Sequence, residues 1–233
     1  YTGARGGSEF WSRGADFDGS TEWLNRATLT GASEGKLFSL VFTFKRDVSN
    51  TGGMFCIYNG GANRLVVALG PTNVRAIGYN SSGTQILDIS GSTAHSTGVW
   101  NTYCISVDMA TAQNLIFNGT VVSFTGTRTD LALDLDNPVL IGKDVDNQTL
   151  DGTIGNVYFA DSYIDFSQEA NRNKFIDQLG YPIDLTPAIE AGDIPDPLIY
   201  MKFDDTAALG TNAGTGGNFT VNGTVTAGSD FSI

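Results

Sequence analysis

The sequence contains few of the residues from which most hydrolase and metal sites are built. It has one histidine, His95, and two cysteines, Cys56 and Cys104. A single histidine excludes a multi-histidine metal site and gives little support for a Ser/His/Asp or Cys/His catalytic set. Without a Cys-x-x-Cys motif, a cysteine metal site or a thiol redox site is excluded as well. Both cysteines fall in strand-like runs, where buried free thiols are commoner than a bridge, and a disulfide is the alternative.

Basic residues are also scarce. Lys and Arg number 13 against 25 Asp and Glu, which gives a formal charge of -12 and a pI near 4.2. Such a field repels polyanions, so nucleic acid is excluded as a partner. No apolar run approaches the roughly 20 residues that cross a bilayer, which predicts no membrane insertion. The chain begins at Tyr1 and not at Met, so the terminus says nothing about localisation.

The residues that are abundant favour strands. Glycine occurs 29 times and charged residues make up only 16% of the chain, a mixture that suits strands joined by tight turns. The segment FSLVFTFK (38–45) alternates apolar and other residues with a period of two, as a half-buried strand does. About a dozen such runs at turn spacings predict an all-β, antiparallel two-sheet jelly-roll sandwich. Asn118-Gly119 predicts a hairpin with a type I′ turn.

One short helix is predicted near residues 167–179. Ser167 is the expected N-cap, Gly180 is the stop signal, and Phe175, Ile176 and Leu179 form an apolar stripe. The proline-rich segment 182–197 that follows predicts an extended connector. A last hairpin or edge strand is expected at 219–225.

The order of these landmarks resembles the laminin-G-like, concanavalin-A-like lectin/glucanase superfamily. The matching segments are ADFDGSTEWL (15–24), FSLVFTFK, VWNTYCISVD (99–108), the Asn-Gly hairpin and VLIGKDVDNQTLDGTIGNVYFAD (139–161). The continuation YIDFSQEANRNKFIDQLGYPIDL (163–185) is similar to versions of the domain in bacteriophage and prophage virion proteins. The resemblance implies a jelly-roll domain over 15–204, preceded by an arm at 1–14. The Gly/Thr-rich segment 205–233 is expected to pack on or next to that domain.

The resemblance implies two functions. The first is a non-enzymatic phage structural protein on the virion surface, either a capsid decoration or a tail fibre or appendage, with a lectin-like domain that binds glycans. The alternative is a secreted bacterial carbohydrate-binding protein or polysaccharide hydrolase. A retaining glycosidase needs two carboxyls about 5 to 5.5 Å apart, and the laminarinase-like branch of the superfamily carries them in a Glu-x-Asp-x-x-Glu motif. No glutamate of this chain has that spacing, which predicts no enzyme activity.

Oxygen-rich side chains in KDVDNQTLDG (143–152) suggest a calcium site. Asp144, Asp146 and Asp151 are the candidate ligands, because Ca²⁺ takes 6–8 oxygen ligands. The segment lacks the glycine and glutamate of an EF-hand loop. An acidic solvated loop is the alternative interpretation.

Aromatic residues near Gly/Asn/Ser-rich turns are the candidate glycan contacts, since aromatic rings stack on the apolar faces of sugars. We single out five of them: Trp11, Trp23, Tyr58, Tyr79 and Tyr163. Trp100 opens a central strand and is expected in the core.

The expected partners follow from the virion resemblance. Phage fibres and decoration proteins are often threefold, so a homo-oligomer, most plausibly a trimer, is predicted, together with other virion proteins and a cell-surface glycan. Tethered copies of a weak sugar site raise avidity by about 10²–10⁴.

Overall fold

Alternating apolar residues build two antiparallel β-sheets, which a computed structural model describes over residues 13–49 and 51–228. The all-β sandwich prediction is confirmed. The strands in chain order are β1 (Ala15–Asp18), β2 (Trp23–Arg26), β3 (Leu37–Arg46), β4 (Gly52–Asn59), β5 (Ala62–Leu69), β6 (Asn73–Tyr79), β7 (Gln85–Ser92), β8 (Trp100–Asp108), β9 (Ala112–Phe117), β10 (Thr120–Val122), β11 (Thr125–Arg128), β12 (Val139–Ile141), β13 (Asp151–Ala160), β14 (Ile199–Met201), β15 (Thr220–Asn222) and β16 (Thr226–Ala227).

Over the described residues, the two sheets have eight strands each. The first sheet has the order β10-β9-β8-β3-β13-β1-β16, with β14 paired to the free part of β13. The second sheet has the order β11-β7-β6-β5-β4-β12-β2-β15. The core lies between them, where Phe38 and Phe42 of β3 are buried and Phe55 of β4 packs 4.9 Å from the ring of Phe159. Apolar residues on the inner faces of both sheets therefore hold the sandwich together.

The predicted Asn-Gly turn is confirmed between β9 and β10. Asn118 has φ 47° and Gly119 has φ 78°, the two positive values that a type I′ turn requires. The Asn118 side chain also accepts a hydrogen bond from the Thr102 backbone N–H (2.8 Å) and donates to Asn101. The turn is thereby fixed to the neighbouring strand β8.

The outer face of the first sheet is covered, which the alternation in β3 did not predict. Residues 161–198, here named the cover, lie over it and place Phe166, Phe175 and Leu185 against Val41 and Tyr158. All of these side chains are at most 1% exposed. Strand β3 is consequently buried on both faces and not half-buried.

The helix predicted at 167–179 is much shorter in the structure. It is α1 (Glu169–Arg172), and Ser167 bonds Asp165 instead of serving as its N-cap. The Asp177 carboxylate accepts the backbone N–H groups of Leu179 and Tyr181, which forms a turn where the helix was expected to continue. Further along the cover, the connector predicted to be extended contains a second short helix, α2 (Thr186–Glu190).

The C-terminal segment packs on the same sandwich over its described part. Leu209 and Phe219 belong to the core between the sheets. Strand β15 forms the edge of the second sheet, as predicted for 219–225, and β16 pairs with β1. Residues 205–228 thus complete both sheets.

Both cysteines are buried free thiols. Cys56 lies in β4 of the second sheet and Cys104 in β8 of the first. The free-thiol interpretation is confirmed, because the sandwich core separates the two strands.

Candidate functional site

The outer face of the second sheet is open to solvent, whereas the outer face of the first sheet lies under the cover. Its outward residues come from β2, β4, β6 and β7, and they retain solvent exposure at Trp23, Tyr58, Tyr79, Arg75 and Asp88. We name this surface the open face. Three of the five predicted aromatic contacts lie on it.

Two tyrosines stand on either side of β5 on the open face. Ile57 and Gly78 both pair with Leu65, so Tyr58 and Tyr79, which follow them, lie at the same end of the sheet. Two strand spacings separate their backbones, about 10 Å. Arg64 lies on the strand between them and forms an ion pair with Asp134 (3.1 Å). This ion pair is largely buried, with side-chain exposures of 14% and 6%.

A second polar group lies next to Tyr79. The Arg75 guanidinium donates two hydrogen bonds to the Asp88 carboxylate (2.8 and 2.7 Å), and Gln85 Nε2 donates a third (3.0 Å). These hydrogen bonds, led by those from Arg75, lower the pKa of Asp88. Donors and acceptors are thus held in fixed positions on β6 and β7, as recognition of a polar ligand requires.

The loop 143–149 crosses the open face from β2 towards β5. Lys143 Nζ lies 4.0 Å from the centre of the Trp23 ring, a cation–π contact. Further along, Val145 packs on the apolar patch around Cys56, and the Asp146 carboxylate accepts a hydrogen bond from Asn63 (3.1 Å). A ligand that stacks on this side of Trp23 has to displace the Lys143 ammonium.

The thiol of Cys56 is held beneath that loop. It donates to Asn63 Oδ1 (3.0 Å), and burial, with the nearby Asp144 carboxylate, raises its pKa to about 12. A thiol with so high a pKa is not a nucleophile at neutral pH. Cys56 therefore contributes packing and a hydrogen bond to the site and is not a reactive group.

The three predicted calcium ligands are not brought to one point. The Asp144 carboxylate is 3% exposed and accepts the backbone N–H groups of Asp146 and Gln148 (both 2.9 Å). Asp151 begins β13, and burial and the charge of Asp47 raise its pKa. In residues 13–49 and 51–228, no group of three or more His, Cys, Asp and Glu side chains is arranged to hold a metal ion.

Calcium binding by Asp144, Asp146 and Asp151 stays a prediction. Because an ion that binds only the folded chain stabilises it, added Ca²⁺ is expected to raise the melting temperature relative to a chelator. The variant Asp144→Asn should reduce that rise. Equal melting temperatures with Ca²⁺ and with chelator would contradict the prediction.

The other predicted aromatic residues lie elsewhere. Tyr163 is on the opposite side of the molecule, in the cover, and Trp11 lies outside the described residues. Trp100, expected in the core, is instead half-buried, because it pairs with Lys45 on the outer side of the first sheet. Lys45 Nζ lies 5.4 Å from the centre of its ring.

Sequence reasoning missed the polar groups of the open face. Arg75 and Tyr79 share one face of NVRAIGY (73–79) by simple alternation, so this pair was recognisable. The pairing of Asp88 with Arg75 depends on the register of β6 and β7 and is not visible in a local pattern. Lys143 reaches Trp23 only because the loop folds back over the sheet.

A sandwich of two antiparallel sheets is the architecture of jelly-roll domains, among them lectin domains. A family model, the Laminin_G_3 model of the concanavalin A-like lectin/glucanases superfamily, matches residues 18–164. The chain belongs to this family. No helix in the described ranges is long and apolar enough to span a membrane.

Solved structures with the same fold are distant in sequence. One is a protein assigned as carbohydrate-binding from Bacteroides ovatus ATCC 8483, with a TM-score of 0.64 and 13% identity over 94% of this chain and 61% of that one. This chain thus spans less than two thirds of the length of the Bacteroides protein. The CBM40 of the Ruminococcus gnavus IT-sialidase bound to α2,3-sialyllactose has a TM-score of 0.50 and 13% identity, covering 67% of this chain and 94% of that one.

A third structure is the native heptameric SAP-like pentraxin from Limulus polyphemus. Its TM-score is 0.50 at 12% identity, with 69% of this chain and 79% of the pentraxin covered. No curated protein matches the chain. At these identities the likeness establishes the fold and nothing further.

Proposed function

We propose that this chain is a non-enzymatic glycan-binding domain and that the open face is its binding surface. The observation that carries the proposal is the combination, on one face of one sheet, of Tyr58 and Tyr79 with the hydrogen-bonded group of Arg75, Asp88 and Gln85. Aromatic rings contact the apolar faces of sugars, and fixed charged pairs bond their hydroxyls. Two of the similar structures are a protein assigned as carbohydrate-binding and a CBM40 with a bound sialyllactose, which supports this choice.

The carboxylates of the open face suit binding better than hydrolysis. A glycosidase acid needs a raised pKa and access to the leaving oxygen. The pKa of Asp88 is lowered by Arg75, and the carboxylate of Asp144, whose pKa is raised by burial, is bonded to the backbone of its own loop. The proposal therefore includes no cleavage of the bound glycan.

We expect glycan binding to depend on the open face. On an oligosaccharide array, Tyr79→Ala should bind about threefold to tenfold more weakly, because stacking on an aromatic ring contributes about 0.5–1.5 kcal/mol. Arg75→Gln should weaken binding further, since it removes the bidentate pair with Asp88. Incubation with the bound oligosaccharides should release no reducing sugar above the buffer level.

Tyr181→Ala is the matched control. Tyr181 is also a half-buried tyrosine, but it lies in the cover. Its loss should leave the array pattern unchanged. Equal weakening by Tyr79→Ala and Tyr181→Ala, or an array on which the native chain binds nothing, would refute the open face as the site.

We propose further that this domain lies on a virion surface as a homotrimer, beside other virion proteins. Support comes from the resemblance of residues 163–185 to phage virion domains, and this segment is the one that forms the first half of the cover. Several copies held together would also raise the avidity of a weak sugar site.

Light scattering of the full-length protein tests the assembly, and mass spectrometry of purified particles tests the location. A mass three times that of one chain, and peptides from this chain in the particles, are the expected results. A monomer at micromolar concentration that is absent from particles would contradict both.

A further inference from the structure

The cover contains a cavity of about 200 Å³ on the side of the molecule opposite the open face. Its polar lining consists of Tyr163, Asp165, Asn171, Lys174 and Asp193, and apolar side chains of the cover complete it. The binding sites of drug-sized molecules are larger, about 300–1,000 Å³. The volume therefore suits a single sugar-sized ring and not a chain of them.

The wall that carries Tyr163 is fixed to the first sheet. Ser39 Oγ donates to the Ser162 carbonyl (2.7 Å) and accepts the Ile164 N–H (3.0 Å), and Ser106 Oγ donates to the Ile164 carbonyl (2.6 Å). Asn114 Nδ2 donates to the Tyr163 hydroxyl (2.5 Å). The tyrosine ring is thus oriented before any ligand arrives, which lowers the entropy lost on binding.

The opposite wall supplies both donors and acceptors. Lys174 Nζ donates to the Asp193 backbone carbonyl (2.8 Å), which holds the ammonium at the cavity and leaves further N–H donors on it. Asn171 donates to the Asp165 backbone carbonyl (3.0 Å), and the Asp165 carboxylate accepts from the backbone N–H and hydroxyl of Ser167. Asp193 adds a second carboxylate to the lining. With two carboxylates and one ammonium, the lining has a net negative charge.

We propose that this cavity is a second binding site, which takes one neutral or amino hexopyranose ring. The ring of Tyr163 would contact the C–H face of the sugar, while Lys174 and Asp193 bond its hydroxyls. The excess of carboxylates disfavours an anionic sugar and tolerates an amino group. The proposal is independent of the open face, since none of its residues lies there.

Nuclear magnetic resonance with the free monosaccharides tests this site. Titration of the full chain with galactose, glucose or glucosamine is expected to shift the backbone amides of residues 163–175 and of Asp193 and Ile194, and glucuronate is expected to shift none of them. Tyr163→Ala should weaken the binding of the responding sugar about threefold to tenfold. Tyr163→Phe, which keeps the ring and loses only the hydroxyl that bonds Asn114, should bind more tightly than Tyr163→Ala.

Lys174→Met gives an independent variant, because it keeps most of the side-chain volume and removes the donor. Its melting temperature, with that of Tyr163→Ala, shows whether each variant is folded at the temperature of the titration. Shifts confined to the open face would overturn the cavity site and leave the proposed function standing. Shifts in the cover, with no glycan binding at the open face, would support the cavity site and contradict the proposed function of the open face. Shifts in the cover that persist in both Tyr163→Ala and Lys174→Met would also overturn the cavity site.

Discussion

Replacing Phe175 with alanine is expected to lower the free energy of unfolding by about 3–5 kcal/mol. The Phe175 side chain is 1% exposed and makes edge-to-face contacts with two rings, with centroids 5.0 Å from Tyr158 and 5.3 Å from Phe166. Alanine would leave a void between the cover and the first sheet that these neighbours can fill only in part. Chemical denaturation followed by circular dichroism measures the loss.

Leu179→Ala is the matched control for that experiment. A helix over 167–179 would place Leu179 on the same buried stripe as Phe175, whereas in the structure Leu179 is 60% exposed. The change at Leu179 should therefore alter stability by no more than about 0.5 kcal/mol. Comparable losses from both variants would contradict the turn at Asp177 and favour the longer helix.

Acid is expected to destabilise the protein through His95. This side chain is 8% exposed and lies among Phe44, Tyr103 and Phe117, with Nε2 2.9 Å from Thr93 Oγ1 and Nδ1 3.5 Å from Arg46 Nη1. The Arg46 guanidinium is a permanent cation, so its charge opposes a second positive charge on the neighbouring imidazole. Burial, and then the charge of Arg46, lower the pKa of His95 to about 4.

The sign of the effect follows from linkage. In the unfolded chain His95 takes up its proton near the ordinary pKa of 6.5, whereas the folded chain resists protonation until about pH 4. The stabilisation is complete above pH 6.5 and is lost progressively as the pH falls to 4. The expected loss from this residue is on the order of 3 kcal/mol.

His95→Gln separates this contribution from that of the carboxylates, which titrate over the same range. Glutamine keeps a hydrogen-bonding group near Thr93 and Tyr103 and has no proton to gain. As the pH falls from 6.5 to 4, the free energy of unfolding should decrease more for the native protein than for this variant. A difference independent of pH would show that His95 does not titrate as its surroundings predict.

Local pattern was sufficient for most of the strands. The alternation in 38–45 marks β3, and Asn118-Gly119 fixes the hairpin because few residue pairs accept two positive φ values. Both features depend on neighbours along the chain, and they could be recognised without knowledge of the sheet. The same holds for the aromatic residues beside turns, of which Trp23, Tyr58 and Tyr79 lie on the open face.

Long-range contacts decided the rest of the site. The path of one loop brings Lys143 to Trp23. Strand register pairs Arg75 with Asp88 and places Asp151 in β13, away from Asp144. Neither the loop path nor the register is visible in a local sequence pattern. Tyr163 resembles the other turn tyrosines in sequence, yet it lies on the far side of the sandwich. Proximity along the chain was therefore a poor guide to which carboxylates and rings share a surface.

The sequence by itself determined the fold class, the hairpin and the absence of the paired-carboxylate motif, since each depends on residue type and spacing within a few positions. Only the tertiary structure decided which face of the sandwich is open. A strand that alternates like β3 can have its second face either in water or covered. In this protein Phe166, Phe175 and Leu185 cover that face, and they lie more than a hundred residues further along the chain. Burying these apolar side chains against Val41 and Tyr158 stabilises the cover in place, and that leaves the second sheet as the exposed one.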